Sequence, residues 1–288
     1  MEFIKEIFHH TIEDTIKMLP FLFAAYLIIE YIEHKAKGKL EKFLHRFGRF
    51  GAIGGSVLGI FPQCGFSVMA SNFFAGKIIT AGTLVAVFIS TSDEAIPFLM
   101  ANPEKAGVIL PVIVLKVLIA LLTGLMMDFF GGKVLNIKSS HHHHIEELCS
   151  HDGCNCHKGS GIFKSAIHHT VNIFVFIFVF SLVINGAVEL IGEENLGKVL
   201  MNGSFLQPVL AAIVGFIPNC AVSVLLAELY VSGSLSLGSL IAGLCTGAGA
   251  GLVVLFKVNK NIKENLKILG YISVSAVLSG IIIQGLGF

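Results

Sequence analysis

Two stretches place an amide, a thiol and a hydroxyl just behind a proline within an otherwise apolar run: Phe61-Pro62-Gln63-Cys64-Gly65-Phe66-Ser67-Val68 and Ile217-Pro218-Asn219-Cys220-Ala221-Val222-Ser223-Val224. Thiolates are soft ligands that select Zn(II), Cu(I) and related ions, whereas amide and carbonyl oxygens are hard ones. Gln63, Cys64 and Ser67 with Asn219, Cys220 and Ser223 could therefore hold a metal ion or a small polar solute. As small residues, the same Cys and Ser could instead simply let helices approach closely. A third stretch, Ser90-Thr91-Ser92-Asp93-Glu94-Ala95-Ile96-Pro97, adds two carboxylates deep in an apolar run. A charge at the bilayer centre costs about 2.5–3.5 kcal/mol even on the lenient insertion scale, so Asp93 and Glu94 call for a cation, a proton or a watery cavity. The matching stretch, Cys245-Thr246-Gly247-Ala248-Gly249-Ala250, keeps a threonine and loses the acids. A single asymmetric ion site, with Asp93 and Glu94 as cation ligand and proton carrier, has that pattern.

A fourth group lies in a hydrophilic tract and has no mate. His141, His142, His143, His144, Cys149, His151, Cys154, Cys156 and His157 crowd into one linker. Imidazole beside thiolate binds Zn(II), Cu or Ni ahead of Mn(II). The spacing argues for a chelating tract on which a zinc or similar ion could sit, rather than for disulfides.

The elements that must position these groups are long apolar runs, at about 16–32, 50–75, 78–100, 107–130, 171–191, 205–231, 235–256 and 268–287. Each approaches or exceeds the roughly 18–20 residues that a helix needs to cross a bilayer. Proline removes an amide donor and clashes with the preceding turn, so Pro62 and Pro218 break their helices. At membrane depth a break survives only under protein or a watery cavity. The two breaks share one register, since 218 − 62, 220 − 64 and 223 − 67 all give 156. Internal duplication explains this most simply, and paired interruptions in two halves are the best sequence pointer to a transporter's substrate site.

Basic residues give the orientation, because Lys and Arg accumulate in cytoplasmic connections. The 33–49 connection carries Lys35, Lys37, Lys39, Lys42, Arg46 and Arg49, against Lys198 alone in its counterpart at 192–204. The 101–107 connection carries Lys105, against Lys257, Lys260, Lys263 and Lys267 at 256–267. The bias reverses twice, which predicts inverted halves with both termini outside and an odd number of crossings in each half. One run per half must then dip in and return. The expectation is the Pro62 and Pro218 runs, with the run ending at Pro97 and its mate at 235–256 as the alternative. The predicted class is an all-α polytopic membrane protein of two inverted repeats, about five helical segments each. Residues 1–132 form the first repeat, 133–164 a cytoplasmic linker and 165–288 the second repeat. Other polar groups in the spans, Glu30, Lys116, Asn185, Glu189, Glu228 and Gln284, are expected mostly to reach an interface by snorkelling.

The composition agrees. Of 288 residues 54% are hydrophobic and 14% charged, with 24 Phe and a mean hydropathy of +0.81. A soluble domain carries roughly 25% charge. A net charge of +1 without a basic aromatic tract gives no support to nucleic-acid binding. No zinc-protease helix, phosphate loop or serine elbow is present, so an enzyme is not expected.

Through Phe61–Ser67, Ser90–Pro97, Ile217–Ser223 and the His-rich linker running into Glu147-Leu148-Cys149, the chain resembles the manganese or heavy-metal exporter family, ten-helix bacterial permeases grouped with arsenic permeases. The resemblance implies a multi-pass protein of the bacterial inner membrane that exports a divalent metal. Oxygen-loving Mn(II) is an awkward match for two thiols. The expected partners are the metal ion, protons as coupling ion and the lipid bilayer, with a homodimer left open and no tightly bound cofactor. Substrate-binding candidates are Gln63, Cys64, Ser67, Thr91, Ser92, Asp93, Glu94, Asn219, Cys220, Ser223 and Thr246. Two other readings stand beside metal export: a permease for an organic or oxyanion solute, and a membrane sensor working through the linker.

Overall fold

The computed structural model describes parts of 11–31 together with residues 51–61, 64–91, 95–101, 107–131, 162–191 and 206–287. Every regular element among the described residues is helical. After helical residues within 11–31 come α1 (Gly51–Leu58), α2 (Cys64–Ala75), α3 (Ala81–Ser90), α4 (Ala95–Ala101), and α5 (Ile109–Met126), which runs into a π-helical turn at Met127–Gly131. Then follow α6 (Ile162–Ile191), α7 (Gln207–Gly215), α8 (Cys220–Val231), α9 (Leu237–Thr246), α10 (Ala250–Val258) and α11 (Ile262–Gly285).

The duplicated register of the sequence reappears as duplicated boundaries. Adding the same 156 to the ends of α2 and α3 gives the ends of α8 and α9. The turns between them match as well: Lys77 and Gly233 both adopt the left-handed conformation, at φ 57° and 78°. Glycine enters that region without cost, and a lysine does not. The helix that follows each turn is capped alike, by Thr80 accepting from the Thr83 N–H and by Ser236 accepting from the Ser239 N–H.

Close contacts fix the path of the chain. A Cβ on Gly51 would meet the Thr83 side chain, and one on Gly59 would meet Ser90. Helices α1 and α3 thus start side by side and run in the same direction. The chain between them has to come back, so α1 and α2 form a bent pair. Gly82 packs on Gly124 and Asp128, and Lys116 reaches Thr91, so α5 runs antiparallel to α3. Residues 109–115 of α5 extend past the level of Thr91, which makes α3 and α4 one interrupted crossing. The second half repeats these relations, with Gln207 bonded to Ser239, Gly215 on Thr246, and Gly238 on Gly280 and Gln284. In both halves the helix before the proline lies beside and parallel to the helix after the turn, α1 with α3 and α7 with α9.

Five stretches of the described residues are long and apolar enough to span a membrane: Ala81–Met100, Ile109–Phe130, Ala166–Val183, Leu237–Val258 and Ile262–Gly285. The two interrupted ones, carrying α3–α4 and α9–α10, are 80% and 83% buried, and the other three are 28% buried. The interrupted helices therefore form the centre and the intact ones the wall. The wall's outer face is apolar at helical spacing, as in Leu110, Val114, Leu118, Leu122 and Met126 of α5 and Phe163, Ile167, Val171, Val175, Val179 and Val183 of α6. In lipid such a face needs no cover. The chain is a multi-pass membrane protein.

The halves also touch each other in a set pattern. Near its start α2 meets α10, where a Cβ on Gly251 would lie 2.6 Å from Ser67. Ser71 of α2 donates a 2.6 Å hydrogen bond to the Gly251 carbonyl. Beyond the far ends of the same two helices, Lys77 pairs with Glu264 at 3.6 Å. So α2 and α10 leave the breaks together and reach the same side. The linker ligands expected from the sequence, His141 to His144, Cys149, His151, Cys154, Cys156 and His157, lie outside the described residues.

Candidate functional site at the helix breaks

Two breaks can be followed from residue to residue, and a third up to its first residue. In the first half α3 stops at Ser90, and its C-cap Thr91 turns extended at φ −60° and ψ 129°. The Thr91 hydroxyl bonds the Val87 carbonyl at 2.7 Å. In the second half α9 stops at Thr246, and Gly249, at φ 53° and ψ −140°, swings the chain into α10. That backbone favours glycine, so Gly249 is the hinge of the interruption. Third, α7 ends at Gly215 and the chain turns through Ile217 and Pro218 to Asn219, which stands extended at φ −142° and ψ 133°. The Asn219 Oδ1 accepts from the Ala221 N–H at 2.9 Å and caps α8. Capping uses one lone pair of that oxygen and leaves the other.

The other candidates divide in two. Ser67 is fully buried against Gly251, and the Cys220 thiol packs on the cluster that holds Val68 of α2 and Ala250 of α10. These residues draw elements of both halves together. The Ser223 hydroxyl donates to the Cys220 carbonyl at 2.7 Å, and the Thr246 hydroxyl to the carbonyls of Ala212 and Gly243 at 2.8 and 2.9 Å. A hydroxyl that donates its proton to a helix carbonyl keeps its lone pairs, so each remains an acceptor. Cys64 opens α2 with its side chain outside the described residues, and Gln63, Ser92, Asp93 and Glu94 lie outside them altogether. In sequence Thr91, the last described residue after α3, and Ala95, the first of α4, bracket the two acids.

Lys116 departs from its expectation. Rather than snorkelling to an interface, it is 1% exposed in mid-crossing, and its Nζ donates to the carbonyls of Thr91 at 2.5 Å and Leu244 at 2.9 Å. Helix C-terminal carbonyls carry the negative pole of the helix dipole, so a cation there is stabilised, by up to about 2 kcal/mol in partly buried sites. The signal was present in the sequence as a lysine in the middle of Ile109–Phe130, where the default reading of an ionisable group is functional. Glu228, by contrast, is exposed, and its counterpart Asn72 is buried, accepting from Tyr26 at 2.7 Å and donating to Val68 at 2.9 Å.

Asp128 went unread in the sequence. The π-helical turn carries its carboxylate onto the start of α3, where it accepts from the Gly82 N–H and the Thr80 hydroxyl, both at 2.9 Å. It is a cap supplied from another helix, and it leaves the breaks to other residues. Among the described residues no three His, Cys, Asp or Glu side chains gather as a metal cluster.

A family model described as "Putative, 10TM heavy-metal exporter" matches residues 4–190 and 162–287 of the chain. No curated protein and no solved structure matches it.

Proposed function

The chain belongs to this family of heavy-metal exporters, and from that premise we propose a secondary transporter that moves a divalent or soft metal cation out of the bacterial cytoplasm across the inner membrane. The observation that carries the reading is the meeting of the two halves at their breaks, where Ser67 faces Gly251 and one lysine holds the ends of α3 and α9. Breaks at the midplane, one set from each repeat, are how transporters of this architecture build a substrate site.

The halves are read as inverted repeats. Support comes from α2 and α10 running together to the side where Lys77 meets Glu264. The loop between α2 and α3 opens the first crossing of its half, whereas the loop holding Glu264 follows the crossing of the other. Equivalent ends thereby lie on opposite sides. Asp93 and Glu94 would supply the carboxylates for the cation and the proton for antiport, Cys64 and Cys220 the soft ligands, and Gln63, Ser67, Thr91, Ser92, Asn219, Ser223 and Thr246 the neutral oxygens. The linker would buffer or sense cytosolic metal.

One observation favours a second reading. Lys116 is a buried positive charge at the break region, as an oxyanion permease would want. Flux measurements in proteoliposomes across Mn, Zn, Co, Fe and Cd, set against arsenite, arsenate and a small organic anion, separate the two. Protein-dependent flux of a metal cation supports export. Flux of an anion with no metal flux replaces it.

A further inference from the structure

Lys116 donates to two carbonyls that belong to different halves. Thr91 is the C-cap of α3, and Leu244 lies in the last turn of α9, the corresponding helix of the second repeat. The last turn of a helix leaves carbonyls without intrahelical partners. At the end of α9 the Ala248 N–H turns to the Thr246 carbonyl, four residues past Leu244 where an unbroken helix would have bonded Leu244 itself. The interruption of the helix is therefore what frees the Leu244 oxygen. Two such oxygens, each at a negative helix end, converge on one ammonium inside a protein centre that is more than four-fifths buried along α9.

We propose that the carbonyls of Thr91 and Leu244 form a monovalent-cation site, selective for a primary ammonium, that Lys116 fills with its own side chain. The tethered ammonium fastens the end of α3 to the end of α9. Carbonyl oxygens at helix breaks are the ligands by which discontinuous transporter helices hold sodium or protons, and here a covalently attached charge stands in that place. For transport, and resting on the exporter reading above, this has a consequence for the cargo. While Lys116 holds these two oxygens, the cargo cation is left to the acids, thiols and neutral oxygens named above.

The test uses the full-length chain in nanodiscs and three variants: Lys116→Ala, which vacates the site, Lys116→Met, which fills it with a neutral chain, and Lys116→Arg, which keeps the charge. Thermal unfolding is followed with n-propylammonium, tetramethylammonium or propanol added. The expected result is that n-propylammonium raises the Tm of Lys116→Ala by several degrees, leaves the parent and Lys116→Met unchanged, and is matched by neither of the other additives. Tetramethylammonium has no N–H to give, and propanol has volume without charge. No rise with n-propylammonium, or an equal rise with propanol, overturns the proposal. If Lys116→Ala does not fold, the remaining pair decides: Lys116→Arg retaining more stability than Lys116→Met supports a charge site, and the reverse order overturns it. None of these readings involves a transported metal. A loss of the proposal therefore leaves the flux panel standing, and a negative flux panel leaves the ammonium site standing.

Discussion

Gly59 lies against Ser90 so closely that a Cβ on the glycine would stand 1.9 Å from the serine Oγ, and 156 residues on Gly215 lies against Thr246 with the corresponding separation of 2.3 Å. In each half the end of the entering helix thus presses its backbone onto the last hydroxyl residue before the interruption. The two contacts differ in what else is near. Beside Gly215 the Gly243 carbonyl oxygen is 2.2 Å from the imagined Cβ and belongs to the backbone. Beside Gly59 the worst clash is the Ser90 hydroxyl, with the Ser90 Cβ at 2.8 Å and the Thr91 backbone nitrogen at 2.9 Å behind it.

Gly59→Ala and Gly215→Ala are accordingly both expected to destabilise the protein, by about 1–3 kcal/mol as overpacking does. Ser90→Ala should recover part of the Gly59→Ala loss, and Thr246→Ala should recover little of the Gly215→Ala loss. Thermal unfolding of the two double variants in detergent checks this, and equal recovery in both would show that the contacts are looser than the structure has them.

The path of the chain predicts sidedness. Lys260 and Lys77 lie on one side, whereas Ser232, at the other end of the α9–α10 crossing, lies on the opposite side. On a background with the native cysteines replaced, Lys260→Cys and Ser232→Cys should react with an impermeant maleimide from opposite faces of the membrane. Reaction of both from the same face would turn Leu237–Val258 into a returning segment.

The two acids between Thr91 and Ala95 should be indispensable. Asp93→Asn and Glu94→Gln keep the volume and lose charge and proton, so each is expected to reduce metal flux at least tenfold while the protein still inserts, a loss of about 1.4 kcal/mol or more. Parent-like flux from both would take the acids out of the transport path.

The tract between the repeats has no duplicate. Deleting 139–158 should leave maximal flux unchanged and alter its dependence on cytosolic metal concentration, which inside-out vesicles measure directly. A well-inserted deletion without any flux would place the tract in the transport path.

Much of this architecture was legible because duplication doubles every signal. The shared offset of 156 around Pro62 and Pro218 announced the matching ends of α2 with α8 and of α3 with α9. What could not be read depends on partners far away in the chain. Lys116 looked like a residue that would reach an interface, since nothing near it in sequence announces an oxygen 128 residues later. The capping role of Asn219 rests on an extended backbone geometry that the sequence does not announce. Asp128 needed a π-helical turn to aim it, and apolar periodicity carries no trace of such a turn.

The claim at the centre is that both breaks contribute to one metal site, and the most direct measurement is the metal preference of flux in proteoliposomes carrying the parent or the Cys64→Ser/Cys220→Ser double variant. Serine keeps the small polar side chain and replaces a soft sulfur by a hard oxygen. The account predicts that flux of Cd and Zn falls at least tenfold relative to Mn, with each single variant giving part of the change. An unaltered order of metals in the double variant would contradict it and leave the breaks as packing features alone.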